Sequence, residues 1–182
     1  MARRVETRLD GPVLVEPVVH GDERGFFVET FSRDAWAELG IDETFVQHNH
    51  SRSGRGILRG MHFQTDPGQA KLVRCARGQI FDVVVDMRPD SPTFGEWEGF
   101  RLDDEAHRQI LVPVGFGHGF CVLSEVADVT YLVSNYYDPA TEAGFRWNDP
   151  EIGIEWPVSD PQVSARDDSA PTFAEVTGRE SR

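Results

Sequence analysis

The chain has 182 residues, 39% of them hydrophobic, which fits one domain with a sizeable core. Its formal net charge of −13, with no basic tract longer than a dipeptide, argues against nucleic-acid binding. No apolar run approaches the about 20 residues of a bilayer span, "MARRVETRLDG" lacks the apolar stretch of a secretory signal, and Cys75 and Cys121 make no disulfide framework, so a reducing cytoplasm is the expected setting.

In chain order, β-branched and aromatic runs alternate with turn signals. "PVLVEPVV", "GFFVETF", "TFVQHNHS", "KLVRCA", "QIFDVVVD", "QILVPV", "HGFCVL" and "DVTYLVSNY" read as strands, separated by "GDERG", "SRSGRG", "TDPGQ", "RPDSP", "LDDEA" and "YDPATEAG". Many short strands spaced this way predict an all-β antiparallel sandwich or barrel. "SRDAWAELG" is the one clear helix, with Ser32 as N-cap and Gly40 as its stop, and a second short helix is expected near Pro171 to Val176. One domain is expected over residues 1–173, followed by a disordered tail over 174–182.

Two stretches carry histidines inside strand-like sequence. Gly56, five residues and then His62 open like the first cupin motif, and "PVGFGHGF", Pro113 to Phe120, has the Pro-x-Gly-x-x-His spacing of the second. Together they sharpen the fold class to a cupin-type jelly-roll barrel of antiparallel strands with short peripheral helices. A metal cupin would continue with a second histidine and a nearby Glu, but Gln64 holds that position and no Glu follows until Glu96. Two histidines are too few for a stable Zn²⁺ or Fe²⁺ site, so no metal is expected. Strand parity puts Leu58, Gly60 and His62 on one face and Arg59 on the other. Arg59 and His62 can both enter the barrel only if Gly60 is a bulge, and that irregularity is expected.

Other residues stand out singly. Lys71 is the only lysine among 18 basic residues, which suggests a site needing a compact ammonium rather than a planar guanidinium, against the alternative of one surviving surface lysine. Tyr131 lies between Val129 and Val133 on one strand face, where a hydroxyl needs a partner or a task beyond aromatic packing. Tyr136 and Tyr137, at that strand's end, could offer rings to a base or sugar. "SARDDSAP", Ser164 to Pro171, reads as a solvated loop or a helix cap.

These stretches, with "FVQHNHS", "LRGMHFQ", "KLVRCARGQIFDVVVD", "SPTFGEW", "WNDPEIGIEWP" and "SARD" in this order from about Val5 to Pro171, closely resemble the dTDP-4-dehydrorhamnose 3,5-epimerase family. The resemblance implies a jelly roll without metal or other cofactor, usually a homodimer, acting on a dTDP-linked 4-keto-6-deoxyhexose in deoxysugar biosynthesis. It implies His62 as general base, Asp167 as its dyad partner, Tyr131 as proton donor and Lys71 near the keto oxygen. Arg24, Glu29, Gln47, Asn49, Arg59, His118, Tyr137, Glu142 and Arg166 would line the nucleotide-sugar site, with Arg24 supplied in some members by the neighbouring subunit. Arg166 stands where a lysine is usual, and Met61 replaces a common leucine. Three alternatives remain open from sequence: inversion at only C3 or only C5, a metal-dependent cupin oxygenase, and a catalytically silent sugar-binding cupin.

Overall fold

The computed structural model describes residues 2–179. Thirteen strands and three short helices follow one another: β1 (Arg3–Val5), β2 (Val13–Glu16), β3 (Val19–Asp22), β4 (Gly25–Val28), α1 (Arg33–Ala37), β5 (Gln47–Gly54), β6 (Leu58–Gln64), β7 (Lys71–Arg77), β8 (Gln79–Asp86), β9 (Trp97–Asp103), β10 (Gln109–Val112), β11 (Phe116–Val122), β12 (Val126–Val133), β13 (Glu142–Gly144), α2 (Ala165–Asp168) and α3 (Phe173–Thr177). The strands form one sheet in the order β1-β2-β10-β7-β12-β5 and a second in the order β13-β6-β11-β8-β9. Counting β5 to β12 as eight strands, the first, eighth, third and sixth neighbour one another in one sheet and the second, seventh, fourth and fifth in the other. That interleaving is the jelly roll expected from the sequence.

The two inner faces close on one core, in which Leu14, Val73, Cys75, Ile110 and Val129 of the first sheet meet Ile80, Val84, Phe100, Phe120 and Val122 of the second. Burial pushes the Cys75 thiol up to about 12 and Cys121 to about 11, so both are inert core residues. The outer face of the first sheet is covered by Trp36, Phe31 and Ile41 around α1. Ser32 occupies the N-cap of α1, but its side chain makes no capping bond, and Gly40 turns the chain at φ +93.

The outer face of the second sheet is covered by the chain's C-terminal part, through Phe145, Ile152, Trp156 and Phe173. Here the expected tail is corrected. Ala174 is buried, and α3 runs to Thr177 behind a complete capping box of Thr172 and Glu175. Only 180–182 of that segment lie outside the described residues. The strands β1, β9 and β13 were not among the runs read as strands, although Phe100 and Leu102 of β9 show the period-2 alternation that could have marked it.

β6 carries the expected irregularity. Against β11, His62 pairs with His118 and Arg59 pairs with Phe120, so two residues of β6 oppose one of β11. Arg59 and His62 therefore share a face. Gly60 sits at φ +142, and a Cβ there would lie 2.6 Å from Gly119 Cα, so backbone meets backbone where a side chain has no room. Gly60→Ala is expected to cost about 3 kcal/mol, read as a lower urea midpoint at unchanged slope.

Candidate active site

The cavity begins with β6. From its bulged face His62 donates Nε2–H to Asp167 Oδ1 at 2.7 Å. Asp167 comes from far along the chain, and its delivery is local chemistry. Gln162 rejoins the start of β6 through hydrogen bonds to Gly56 and Leu58 at 2.8 and 2.9 Å. Two residues later Ser164 caps α2 by accepting from Asp167 N–H, which turns the buried Asp167 carboxylate toward His62. Burial pushes that carboxyl up, but hydrogen bonds from His62 and the Gly60 and Ser164 groups outweigh it and keep the group ionised below its usual range. The sequence reading of "SARDDSAP" as a solvated loop or cap holds for the exposed Asp168 and fails for Asp167.

His118 lies beside His62 on β11, with Nε2 donating to both oxygens of Asp82 at 2.9 and 3.1 Å. Asp82 is fully buried on β8. It was not singled out from sequence, though a carboxylate on the core-facing parity of "QIFDVVVD" is a legible signal.

Across the barrel, β12 and β7 contribute Tyr131 and Lys71. Tyr131 packs against the core beside Val129, and burial raises its hydroxyl pKa, opposed by the nearby Arg59 charge. Lys71 pairs with Val133 and points into the same interior. Burial pulls its ammonium down to about 8, against the support of the Asp82 and Glu142 carboxylates. On neighbouring β5, Gln47 and Asn49 face inward and share a 2.8 Å hydrogen bond, while His48 and His50 face out. Arg59 donates Nε and Nη2 to Ser53 Oγ at 3.1 and 3.0 Å.

A rim closes the mouth. Glu142 on β13 accepts from Tyr137 Oη at 2.6 Å and Arg166 Nη1 at 2.8 Å. Burial raises the Glu142 pKa, but these donors and the Arg166 and His62 charges hold it below its ordinary value. A cavity of about 380 Å³ lies on the α2 side of β6 and β13, lined by His62, Glu142, Gly144, Arg166, Asp167 and Pro171 but not by Lys71, Tyr131 or His118. Tyr136 is exposed just outside.

Two residues are not brought there within one chain. Arg24 is at the turn of the separate β3–β4 hairpin, where it donates Nε–H to Asp22 at 3.1 Å, and Glu29 lies in the cleft between that hairpin and α1. The hairpin stands off the barrel because none of its residues is buried in the shared core.

Gln64, at the position of a metal cupin's second histidine, turns its amide to Asp138 O and Thr141 Oγ1 at 3.2 and 3.1 Å. Among the described residues no three His, Cys, Asp or Glu side chains gather as a metal-binding group. The arrangement offers a carboxylate-oriented base in one sheet, a phenol in the other, and an ammonium between two carboxylates. Such a set can take a proton from carbon, stabilise an oxyanion and return a proton from the far side.

A family model described as dTDP-4-dehydrorhamnose 3,5-epimerase matches residues 6–175. The dTDP-4-dehydrorhamnose 3,5-epimerase of Salmonella typhimurium is 51% identical over 170 residues, covering 92% of this chain and 93% of that protein. The crystal structure of NovW, a 4-keto-6-deoxy sugar epimerase from the novobiocin cluster of Streptomyces spheroides, superposes with a TM-score of 0.94 at 44% identity, covering 98% of this chain and 90% of that one. The epimerase of Legionella pneumophila, solved with dTDP-4-keto-L-rhamnose, gives a TM-score of 0.92 at 42% identity over 100% of both chains.

Lys71, as the only lysine, gives a single side-chain signal in protein labelled at lysine. Because burial depresses its pKa, the ammonium should persist below and vanish above a midpoint near the about 8 given by its surroundings, checked by NMR titration. A midpoint near the usual 10.5 would contradict the buried, cavity-facing placement.

Proposed function

We propose an activity from one premise: the chain belongs to the dTDP-4-dehydrorhamnose 3,5-epimerase family, whose model spans residues 6–175. Its activity is inversion of C3 and C5 of dTDP-4-keto-6-deoxyglucose, as an isomerase of deoxysugar biosynthesis. The observation that carries this reading is the placement of His62 and Tyr131 on opposite sheets of one barrel, with Lys71 beside them.

A C–H beside a ketone is acidic only to the extent that the carbanion charge moves onto oxygen. His62 takes the proton from C3 or C5, and Asp167 holds the ring and stabilises the imidazolium that forms. The electron pair passes to the C4 oxygen, where the Lys71 ammonium offsets its charge in a poorly solvated interior. Tyr131, a phenol that burial keeps protonated, returns a proton to the opposite face. The ketone itself accepts the electrons, so the chemistry requires no redox cofactor. Arg59 and Arg166 are suited to the diphosphate, Gln47, Asn49 and Glu142 to the sugar and base edges, and Tyr137 to the nucleotide at the rim.

Arg24 and Glu29 join this site by pairing of two chains. The hairpin exposes Phe27 at 70% and Val19 at 37%, an apolar surface that a homodimer would cover while carrying Arg24 to the partner's cavity. The working unit is then a dimer of single-domain chains. Among the described residues no helix is long and apolar enough to cross a membrane, and with a sugar-nucleotide substrate the cytoplasm is the setting we assign.

In D₂O, turnover of dTDP-4-keto-6-deoxyglucose should place deuterium at both C3 and C5, counted by NMR; a single labelled carbon would make the protein a mono-epimerase, and none would refute the epimerase reading. His62→Ala should slow exchange by about a thousandfold while dTDP still binds. Tyr131→Phe should spare proton removal more than inversion at C5, and equal loss of both would contradict its role as donor.

A further inference from the structure

Asp82 has no place in the scheme above, yet its position is unusual. It lies on the core-facing parity of β8, between its ladder partners Phe120 and Phe100, both members of the barrel's hydrophobic core. Packing at such a point selects a residue like Val, and a buried carboxylate persists only with a partner. Its hydrogen-bond partner is His118, whose Nε2 faces both carboxylate oxygens. The other ring nitrogen of His118 has no protein partner among the described residues. The pair is not needed to align its strands, because the β8–β11 ladder runs in unbroken register from Phe116 to Val122.

We propose that Asp82 is a positioning residue for the epimerisation, fixing the His118 ring through Nε2 so that its free nitrogen is held beside His62. The inference rests on the epimerase reading. Across the second sheet the order β8, β11, β6 sets Asp82–His118 directly beside His62, which has Asp167 on its other flank. The two histidines thus stand between two carboxylates, one serving the base and one serving the oxyanion side.

The charges acting on Lys71 come from Asp82 on β8 and Glu142 on β13, which support its charged form; the other titratable groups of the site are His118 on β11, His62 and Arg59 on β6, Tyr131 on β12, and Arg166 and Asp167 on α2. Burial lowers the Lys71 pKa and the two carboxylates raise it. Removing one carboxylate charge lowers it further, so the ammonium is lost at lower pH.

Asp82→Asn keeps the size and an acceptor for His118 and deletes only the charge. Its kcat should fall about ten- to a hundredfold with KM and dTDP binding nearly unchanged, and the alkaline limb of kcat should move to lower pH by roughly one unit. An unchanged kcat and limb in a variant that folds and binds dTDP would overturn the proposal, as would a loss confined to KM or to Tm. The wild-type protein provides a second arm without mutation. Nitrogen NMR should find the His118 proton on Nε2 from about pH 5 to about pH 9, and a neutral ring protonated on Nδ1 instead would overturn the proposal. Deuterium exchange by the wild type separates the two levels: no exchange refutes the epimerase reading, whereas normal exchange with an unaffected Asp82→Asn refutes only the role of Asp82.

Discussion

The site depends on one place where two backbones touch without a side chain between them. At Gly60 the chain approaches Gly119 so closely that a Cβ would sit 2.6 Å from its Cα. The approach lets β6 gain a residue against β11, and that gain turns Arg59 onto the same face as His62. A regular ladder would leave one of them outside the barrel. The bulge thus converts a strand built for packing into one that turns both an imidazole and a guanidinium to the same face.

Around that face the rule for Asp167, Asp82 and Glu142 is that none is left without a proton donor. Asp167 has His62, Asp82 has His118, and Glu142 has Tyr137 and Arg166. Each pairing makes burial of charge tolerable, and each also fixes the orientation of its donor. The surface, at −13 overall, would repel a sugar nucleotide at a distance. In the proposed function, binding falls to arginines near the site, Arg59 from a strand and Arg166 from a one-turn helix.

Much of this was legible before any coordinates. Period-2 alternation and turn residues locate most strands, and the spacing of Gly56, His62, Pro113 and His118 orders them into a jelly roll. Parity alone demands the bulge. The short strands β1 and β13 were not legible, because three residues carry too little alternation to stand out from a loop. The Asp167 carboxylate looked like one of two solvated acids because what buries it is the return of Gln162 to β6, a contact between distant segments that no local pattern encodes. Arg24 and Glu29 are expected at the site only by resemblance, and within one chain Arg24 lies on the β3–β4 hairpin and Glu29 just after it.

The distance along the chain between His62 and Asp167 has a bearing on which segment completes the pair. The two are 105 residues apart, while the strands of both sheets, which end with β13, are complete by Gly144. All thirteen strands are therefore encoded before the segment bearing Asp167. A chain ended at Gly144 would carry every strand of both sheets and lack the carboxylate that His62 faces. The His62–Asp167 pair exists only with the C-terminal segment laid along β6, where the buried ring of Phe173 packs in one cluster with Met61 and Phe145.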